Sequence, residues 1–362
     1  MKKVFVLIVG IILFLPLKTI AISTSATSSI LMEIDTHRIL YSNNIHNKRS
    51  VASISKIMTA IVAIESGKLD DKVTIGNEIS KAYGSGIYIK EGEVLTLRDL
   101  IYGLMLRSGN DAALAIAAYV SKDTNTFVKL MNEKANSLGM ANTEFNNPSG
   151  LDEEKGNYST TYDMALLMSY AYQNKEFRKI TGTKKYTLKT NKNTYIWYNK
   201  NKLLNTYKYT TGGKTGYTTI AKRTLVTTAS KNNLDLVVVT LNDGNDWEDH
   251  KNLFEYGFNN YKSYKILDKN NFKVEDDIYY TKSKLYIKND YNYPIQSGEE
   301  QNILVKVELK KERNIKNNMN VGKAIVYLGE KKIHEEKIYV EIKEEKKESA
   351  WTKFKKWIGN LW

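Results

Sequence analysis

The sequence predicts an α+β fold followed by a small all-β domain, and three observations predict it. Short strand-like runs near the N-terminus give way to a block of helical periodicity between Ser53 and Gln173. Strand texture returns from about Lys184, and one helix closes that region near Tyr261. From Tyr264 to about Lys343 every candidate element is a strand. Helices grouped together, rather than alternating with strands, point to a sheet with helices segregated on it. A chain of 362 residues with an apolar fraction of 42% can bury a large core and fill two domains.

Taken in order, residues 1–21 read as a secretory signal. Lys2 and Lys3 form its positive start, Val4 to Leu15 its apolar stretch, and Thr19-Ile20-Ala21 a small-x-small cleavage site. The apolar run is short of a full membrane span, so cleavage after Ala21 is preferred to a permanent anchor. Losing Lys2, Lys3 and Lys18 takes the formal charge from +14 to +11 (14 − 3). An exported basic chain is a poor candidate for nucleic-acid work, and none is expected. The charge itself favours anionic partners without selecting one.

A hairpin is predicted over 29–33 and 38–41, across Asp35-Thr36-His37. The Ser53 helix follows, apolar at Ile57, Ala60, Ile61 and Ile64, and ends near Gly67. Thr96-Leu97-Arg98-Asp99 has the capping-box pattern and opens a helix over 97–106. Arg107-Ser108-Gly109-Asn110 breaks it before an alanine-rich helix over 111–120. Further helices fit 124–138 and 164–173, the second behind another capping box, Thr160-Thr161-Tyr162-Asp163. Asn146-Asn147-Pro148-Ser149-Gly150 is turn chemistry. Strands are predicted at 185–190, 194–198, 213–217, 224–229 and 234–241, then a helix over 247–261.

The last twelve residues place Trp351, Phe354, Trp357, Ile358, Leu361 and Trp362 on one helical face, with Lys353, Lys355 and Lys356 elsewhere. Rings at headgroup depth and cations against anionic lipid make this an interfacial membrane anchor, too short to span. The expected organisation is a signal over 1–21, a main domain over 25–262, a β domain over 263–345 and an anchor tail over 346–362.

The chemistry starts from what is missing. There is no cysteine, which excludes thiolate catalysis, disulfides and Cys-based zinc sites. The four histidines (His37, His46, His250 and His334) are not paired at metal-ligand spacing. No metal or cofactor is expected, and a nucleophile here needs a base other than histidine. Ser53-Ile54-Ser55-Lys56 offers one, since positions i and i+3 of a helix share a face. Lysine acts as a base only if burial or a neighbouring cation brings it toward neutrality. This is the only S-x-x-K in the chain, and Lys214-Thr215-Gly216 the only K-T-G. The pattern S-x-N begins at Ser42, Ser108 and Ser230; only Ser108 lies between the other two motifs, in a break between helices.

In that order the three motifs match the set used by penicillin-binding proteins and class A β-lactamases. The chain resembles the low-molecular-mass penicillin-binding proteins, the serine-type D-alanyl-D-alanine carboxypeptidases. The resemblance covers roughly residues 25–262 and includes Ser29-Ile30-Leu31-Met32, Asn147-Pro148-Ser149-Gly150-Leu151, Tyr158-Ser159-Thr160-Thr161-Tyr162-Asp163 and the stretch from Lys214 to Thr218. It implies an antiparallel five-stranded sheet with flanking helices and a helical lobe.

The resemblance also implies roles. Ser53 attacks the D-Ala-D-Ala carbonyl and carries the acyl group. Lys56 takes its proton, depressed by a dry cleft and by Lys214. Ser108 and Lys214 relay a proton to the leaving D-alanine. Asn110 holds the substrate amide, and Lys214 and Thr215 hold the terminal carboxylate. Gly216 lets the strand approach the substrate. The backbone N–H groups of Ser53 and Tyr217 form the oxyanion hole. The substrate is then a peptidoglycan stem peptide, and β-lactams acylate Ser53 as inhibitors, on the outer face of the cell membrane.

Two departures stand out. Lys222-Arg223 occupies the place where the family commonly has glycine, adding charge at the carboxylate end of the cleft or decorating the strand. Asn157 stands where the family often has histidine. Other readings are a β-lactamase, a DD-endopeptidase and a non-catalytic wall or membrane binder. The Glu-x-x-Leu-Asn segment of class A β-lactamases is absent, and Glu144, Glu153 and Glu154 do not fit it. Asn242 to His250 resembles the same segment in spore-former members, or is a polar turn with Asp246 and Glu248 at a helix start.

Overall fold

The structure, a computed structural model, describes residues 22–152, 155–274, 279–281 and 283–342. The expected signal and anchor tail lie outside the described residues, as do Glu153 and Glu154.

The larger unit is built on a five-stranded antiparallel sheet. In spatial order its strands are Ile39–Asn43, Ser28–Glu33, Leu234–Leu241, Lys222–Lys231 and Thr210–Thr218. Alternate side chains of a strand face opposite ways, and here both faces are covered. Ile30, Met32, Val237 and Val239 enter one core with the helices, while Leu31, Leu236 and Val238 enter a second with Leu253 and Phe254. Leu253 and Phe254 belong to the closing helix, Asp246–Asn260. The sheet is thus a middle layer, and Thr210–Thr218 is one of its two edge strands.

The helical layer holds Lys56–Glu65, Leu97–Tyr102, Asn110–Ser121, Thr124–Ser137 and Thr161–Tyr172. The first expected capping box closes, with Asp99 N donating to Thr96 Oγ1 at 3.1 Å and Thr96 N to Asp99 Oδ2 at 2.9 Å; at the second only the cap forms, Asp163 N donating to Thr160 Oγ1 at 3.0 Å while Asp163 Oδ2 accepts from Asn142 N and Thr143 Oγ1. Two helical expectations change. Ser53 lies on a 3-10 turn, Ala52–Ser55, and the α-helix begins only at Lys56. The helix expected over 97–106 is α only to Tyr102; Gly103–Arg107 widens into a π turn that ends at Ser108 in the left-handed region (φ 64°). A helix not foreseen, Lys175–Gly182, is capped by Asn174, whose Oδ1 accepts from Glu176 N and Phe177 N. Only Phe177 and Ile180 anchor it in the core, too few apolar positions to show a period.

The smaller unit is all strand among its described residues, apart from a 3-10 turn at Glu299–Asn302. Lys262–Leu267 pairs with Tyr291–Ile295, and a four-stranded sheet runs Ser283–Ile287, Lys331–Ile342, Met319–Leu328, Ile303–Leu309. Leu285, Ile287, Val326, Ile338 and Val340 fill its core. Arg38, just before the second strand of the main sheet, ties the units together. It forks onto Glu299 at 2.9 and 2.6 Å, donates to the Pro294 carbonyl and lies over the rings of Tyr261 and Tyr293.

Candidate active site

The 3-10 turn brings the first pair together. In a 3-10 helix, side chains three apart eclipse, so the change from α geometry aligns Ser53 and Lys56. Lys56 Nζ lies 3.0 Å from Ser53 Oγ. The turn is locked from two sides. Gly150, at φ +76°, packs so closely that a Cβ there would lie 2.0 Å from the Ala52 carbonyl oxygen. Thr224 Oγ1 donates to the Val51 carbonyl at 3.0 Å.

Lys56 is fully buried, and two carbonyl oxygens accept from its amine: Asn110 Oδ1 at 2.7 Å and the Ser149 backbone oxygen. Burial, then the charge of Lys200, lowers its pKa from 10.5 to about 7, against a weaker opposing pull from Asp111. Lys200 is a neighbouring cation that the sequence did not single out. Lys214, expected from the sequence, also repels Lys56, and is itself held well below its ordinary value by burial and by Lys56 and Lys200. Ser149 belongs to the Asn147-Pro148-Ser149-Gly150 turn, which Asn147 Oδ1 folds by accepting from Ser149 N and Gly150 N.

A second pair stands opposite. Lys214 Nζ donates to Ser108 Oγ at 3.0 Å and to the Thr215 carbonyl at 2.6 Å. The left-handed backbone of Ser108 follows from the π turn, and such a conformation costs a non-glycine residue roughly 1–2 kcal/mol. Asn110 is engaged at both ends, since its Nδ2 donates to the Tyr83 carbonyl at 2.6 Å. Its acceptor end faces Lys56, which leaves one N–H of the amide. The structure thus gathers Ser53, Lys56, Ser108, Asn110, Lys214 and Thr215 around one cleft of about 290 Å³.

Gly216 and Tyr217 lie on this edge strand, in register with Thr224 and Arg223. A Cβ on Gly216 would meet Thr224 Oγ1 at 2.4 Å and the Ser53 backbone nitrogen at 3.0 Å. The glycine is thus required for the strand to approach the Ser53 turn itself. That puts the backbone of Tyr217 beside the backbone of Ser53.

Several residues of the site carry no motif. Lys200 Nζ enters the cleft from the loop after the 194–198 strand and donates to Ser85 Oγ at 3.2 Å. Burial and Arg107 lower its pKa. Asp111 accepts from the backbone N–H of Ile87, Tyr88 and Ile89, holding the loop that carries Ser85. Asp152 accepts from Ser50 Oγ at 2.6 Å and from Thr218 Oγ1, tying the 147–156 loop to the edge strand. Arg223, unlike Lys222, lines the cleft. Asn157 accepts from Asn146 N and Asn147 N and shapes the same turn, with no contact to the reacting groups.

A serine with a buried, near-neutral lysine, faced by a second serine–lysine pair on a sheet edge, is an arrangement suited to serine acyl transfer. Residues 17–245 match the D-alanyl-D-alanine carboxypeptidase family, and residues 261–346 match the C-terminal domain of penicillin-binding protein 5. The chain belongs to the D-alanyl-D-alanine carboxypeptidase family. It is 33% identical over 316 residues to the D-alanyl-D-alanine carboxypeptidase DacF of Bacillus subtilis, covering 84% of this chain and 79% of that one. Identity to DacA of Haemophilus influenzae is 30%, over 83% of this chain and 79% of the relative. Among solved structures, penicillin-binding protein 5 from Haemophilus influenzae superposes with a TM-score of 0.74 at 29% identity, covering 88% of this chain and 97% of that one. A mutant of the Streptomyces K15 DD-transpeptidase matches 66% of this chain and 99% of its own, with a TM-score of 0.62 and 33% identity.

Proposed function

We propose that this chain is a serine D-alanyl-D-alanine carboxypeptidase that trims the terminal D-alanine from peptidoglycan stem peptides through an acyl-enzyme on Ser53. One observation carries the reading: the hydrogen bonding of Lys56. A neutral amine has two N–H donors and one lone pair. Asn110 Oδ1 and the Ser149 carbonyl take the two donors, so the lone pair is left for the Ser53 hydroxyl proton.

The steps follow from that arrangement. Lys56 takes the Ser53 proton as Oγ attacks the carbonyl carbon of the D-Ala-D-Ala bond. The oxyanion forms between the backbone N–H groups of Ser53 and Tyr217. The C–N bond breaks as the proton taken by Lys56 is relayed through Ser108, paired with Lys214, to the departing amine, which leaves Lys56 neutral again. A water then attacks the ester, with Lys56 again as base, and Ser53 regains its proton. Thr215, Lys214 and the remaining N–H of Asn110 bind substrate. β-Lactams open on Ser53 by the same route.

The units at 25–262 and 263–345 are read as the peptidase and an accessory β domain. We read 1–21 as an export signal and 346–362 as a peripheral anchor on the outer face of the membrane. No helix among the described residues is long and apolar enough to cross a membrane. Removing 351–362 is expected to release the protein from membranes with its activity intact; unchanged membrane retention would return the anchor role to the signal.

The deciding experiment measures D-alanine release from a defined pentapeptide, beside covalent labelling by a fluorescent penicillin. The intact chain is expected to do both and Ser53→Ala neither. Equal labelling of the two chains would remove Ser53 as nucleophile, and rapid hydrolysis of a chromogenic cephalosporin would favour the β-lactamase reading.

A further inference from the structure

The two ends of the β domain differ in what they meet. Its longest strand, Lys331–Ile342, runs from one to the other, a span of roughly 35–40 Å at about 3.3 Å per residue. At the Lys331 end a cavity is lined by Lys331, Lys332 and Ile333 together with Thr36, His37 and Arg38, so this end abuts the larger unit. At the other end the strand stops at Ile342, with residues 343–362 still to follow in the chain. Beside Ile342 lies the loop 310–318, which joins Ile303–Leu309 to Met319–Leu328. Ile342 N donates to Asn317 Oδ1 at 3.1 Å, and Asn318 N to the Val340 carbonyl at 2.8 Å.

That loop is basic, and its cations are not spent on the protein. It carries Lys310, Lys311, Arg313 and Lys316 against a single carboxylate, Glu312, and all four cations are exposed. None of the four enters an ion pair among the described residues, whereas Lys323 and Lys332 of the same sheet are held by Glu308 and Glu335. The backbone beneath them is fixed. Tyr280 Oη donates to the Lys310 carbonyl and accepts from Glu312 N at 3.3 Å, and Tyr279 Oη donates to the Glu312 carbonyl at 2.8 Å. The cations therefore project from a built turn, and the exposed ring of Tyr279 lies against it.

We propose that the loop 310–318 is a second membrane contact, seated on the anionic headgroups of the leaflet that receives the tail. This rests on the anchor reading of 346–362 and goes beyond it. Eight residues, 343–350, separate Ile342 from Trp351, a reach of about 30 Å at most. A tail at headgroup depth then keeps the Ile342 end of the β domain, rather than the Lys331 end, nearest the lipid. Charge favours the contact there, because each Lys or Arg near an anionic surface is worth about fivefold in binding. Tyr279 adds a ring of the kind that settles among headgroups.

The test uses the mature chain, residues 22–362, and vesicles of phosphatidylcholine with or without phosphatidylglycerol, read by cosedimentation. Lys311→Gln with Arg313→Gln removes two charges from the loop; Lys331→Gln with Lys332→Gln removes two from the opposite end. The loop pair should lower partition onto anionic vesicles about 10- to 30-fold, the opposite pair less than about threefold, and neither should matter on phosphatidylcholine alone. At about 1 M salt, where the screening length falls to about 3 Å, the loop effect should vanish. Labelling by a fluorescent penicillin should stay at the wild-type level in both variants, since neither pair touches the cleft. Equal losses from the two pairs would leave only net charge at work and overturn the inference. So would an unchanged partition, the outcome if Glu275-Asp276-Asp277, just ahead of Tyr279 in the sequence, neutralise the loop. A loop pair that loses binding to an anionic wall polymer but not to vesicles overturns it in favour of that polymer. In each of these cases the anchor reading stands if removing 351–362 abolishes vesicle binding. A chain without the tail that binds as the mature chain does overturns both.

Discussion

Replacing Lys56 by methionine tests the demand that the site places on this residue. Lys56 titrates at about 7 in the folded chain, against 10.5 for an ordinary lysine. Unfolding restores the ordinary value. Because the folded value is the lower one, the unfolded chain binds the extra proton between the two, and unfolding free energy rises with pH across that window. The cost to stability is complete below about pH 7 and fades as the pH approaches 10.5. At 1.36 kcal/mol per pH unit it amounts to about 4 kcal/mol at pH 7 and about 2 kcal/mol at pH 9. Methionine has a similar reach and carries no such cost at either pH. It also orphans Asn110 Oδ1 and the Ser149 carbonyl, a loss of roughly 1–3 kcal/mol each that is independent of pH and cancels between conditions. Urea denaturation followed by tryptophan fluorescence at pH 7, 8 and 9 gives the comparison. Relative to Lys56→Met, the wild type should gain about 2 kcal/mol between pH 7 and 9. A difference that stays flat would mean that Lys56 remains an ammonium when folded, and an ammonium cannot take the Ser53 proton.

Gly150→Ala places a methyl group against the Ala52 carbonyl at a positive φ. It should cost at least about 2 kcal/mol and lower Tm by roughly 5 °C or more, with slower acylation by penicillin because the Ser53 turn is displaced. Arg38→Ala removes the fork onto Glu299 and the stack between Tyr261 and Tyr293. The expected result is faster limited proteolysis between the two units, with kcat for D-alanine release within about twofold of wild type, since Arg38 is remote from the cleft residues.

The sequence spoke clearly where periodicity and spacing carry the information. The Ser53–Lys56 contact survives the change from α to 3-10 geometry, because both geometries bring residues three apart together. The strands of the main sheet were visible as separate runs, while their assembly into one five-stranded antiparallel sheet came from the family resemblance. Less visible were contacts made by backbone atoms and by loops. The Ser149 carbonyl that orients Lys56 has no side-chain signature, and Lys200 is one lysine in the run from Lys200 to Lys202. Its importance comes from burial beside Lys56, which only the folded chain provides. Asp111 follows directly on the Ser108-Gly109-Asn110 motif, yet its role is to hold a loop twenty-odd residues upstream. Arg223 was noticed as a departure; its partner Asp246 is brought near only by the pairing of Lys222–Lys231 with Leu234–Leu241.

The placement of Ser28–Glu33 has a consequence for how this protein comes into being. That strand lies inside the sheet, with Ile39–Asn43 on one side and Leu234–Leu241 on the other, Ser28 opposite Leu241 and Glu33 opposite Leu236. One of its two neighbours is therefore made some two hundred residues after it. Until Leu234–Leu241 arrives, the first hairpin has an open edge and neither core can close around it. Contacts of such long sequence separation are slow to form because the chain between them must be closed first. The sheet is therefore completed late, when a strand near the end of the larger unit closes over one near its beginning.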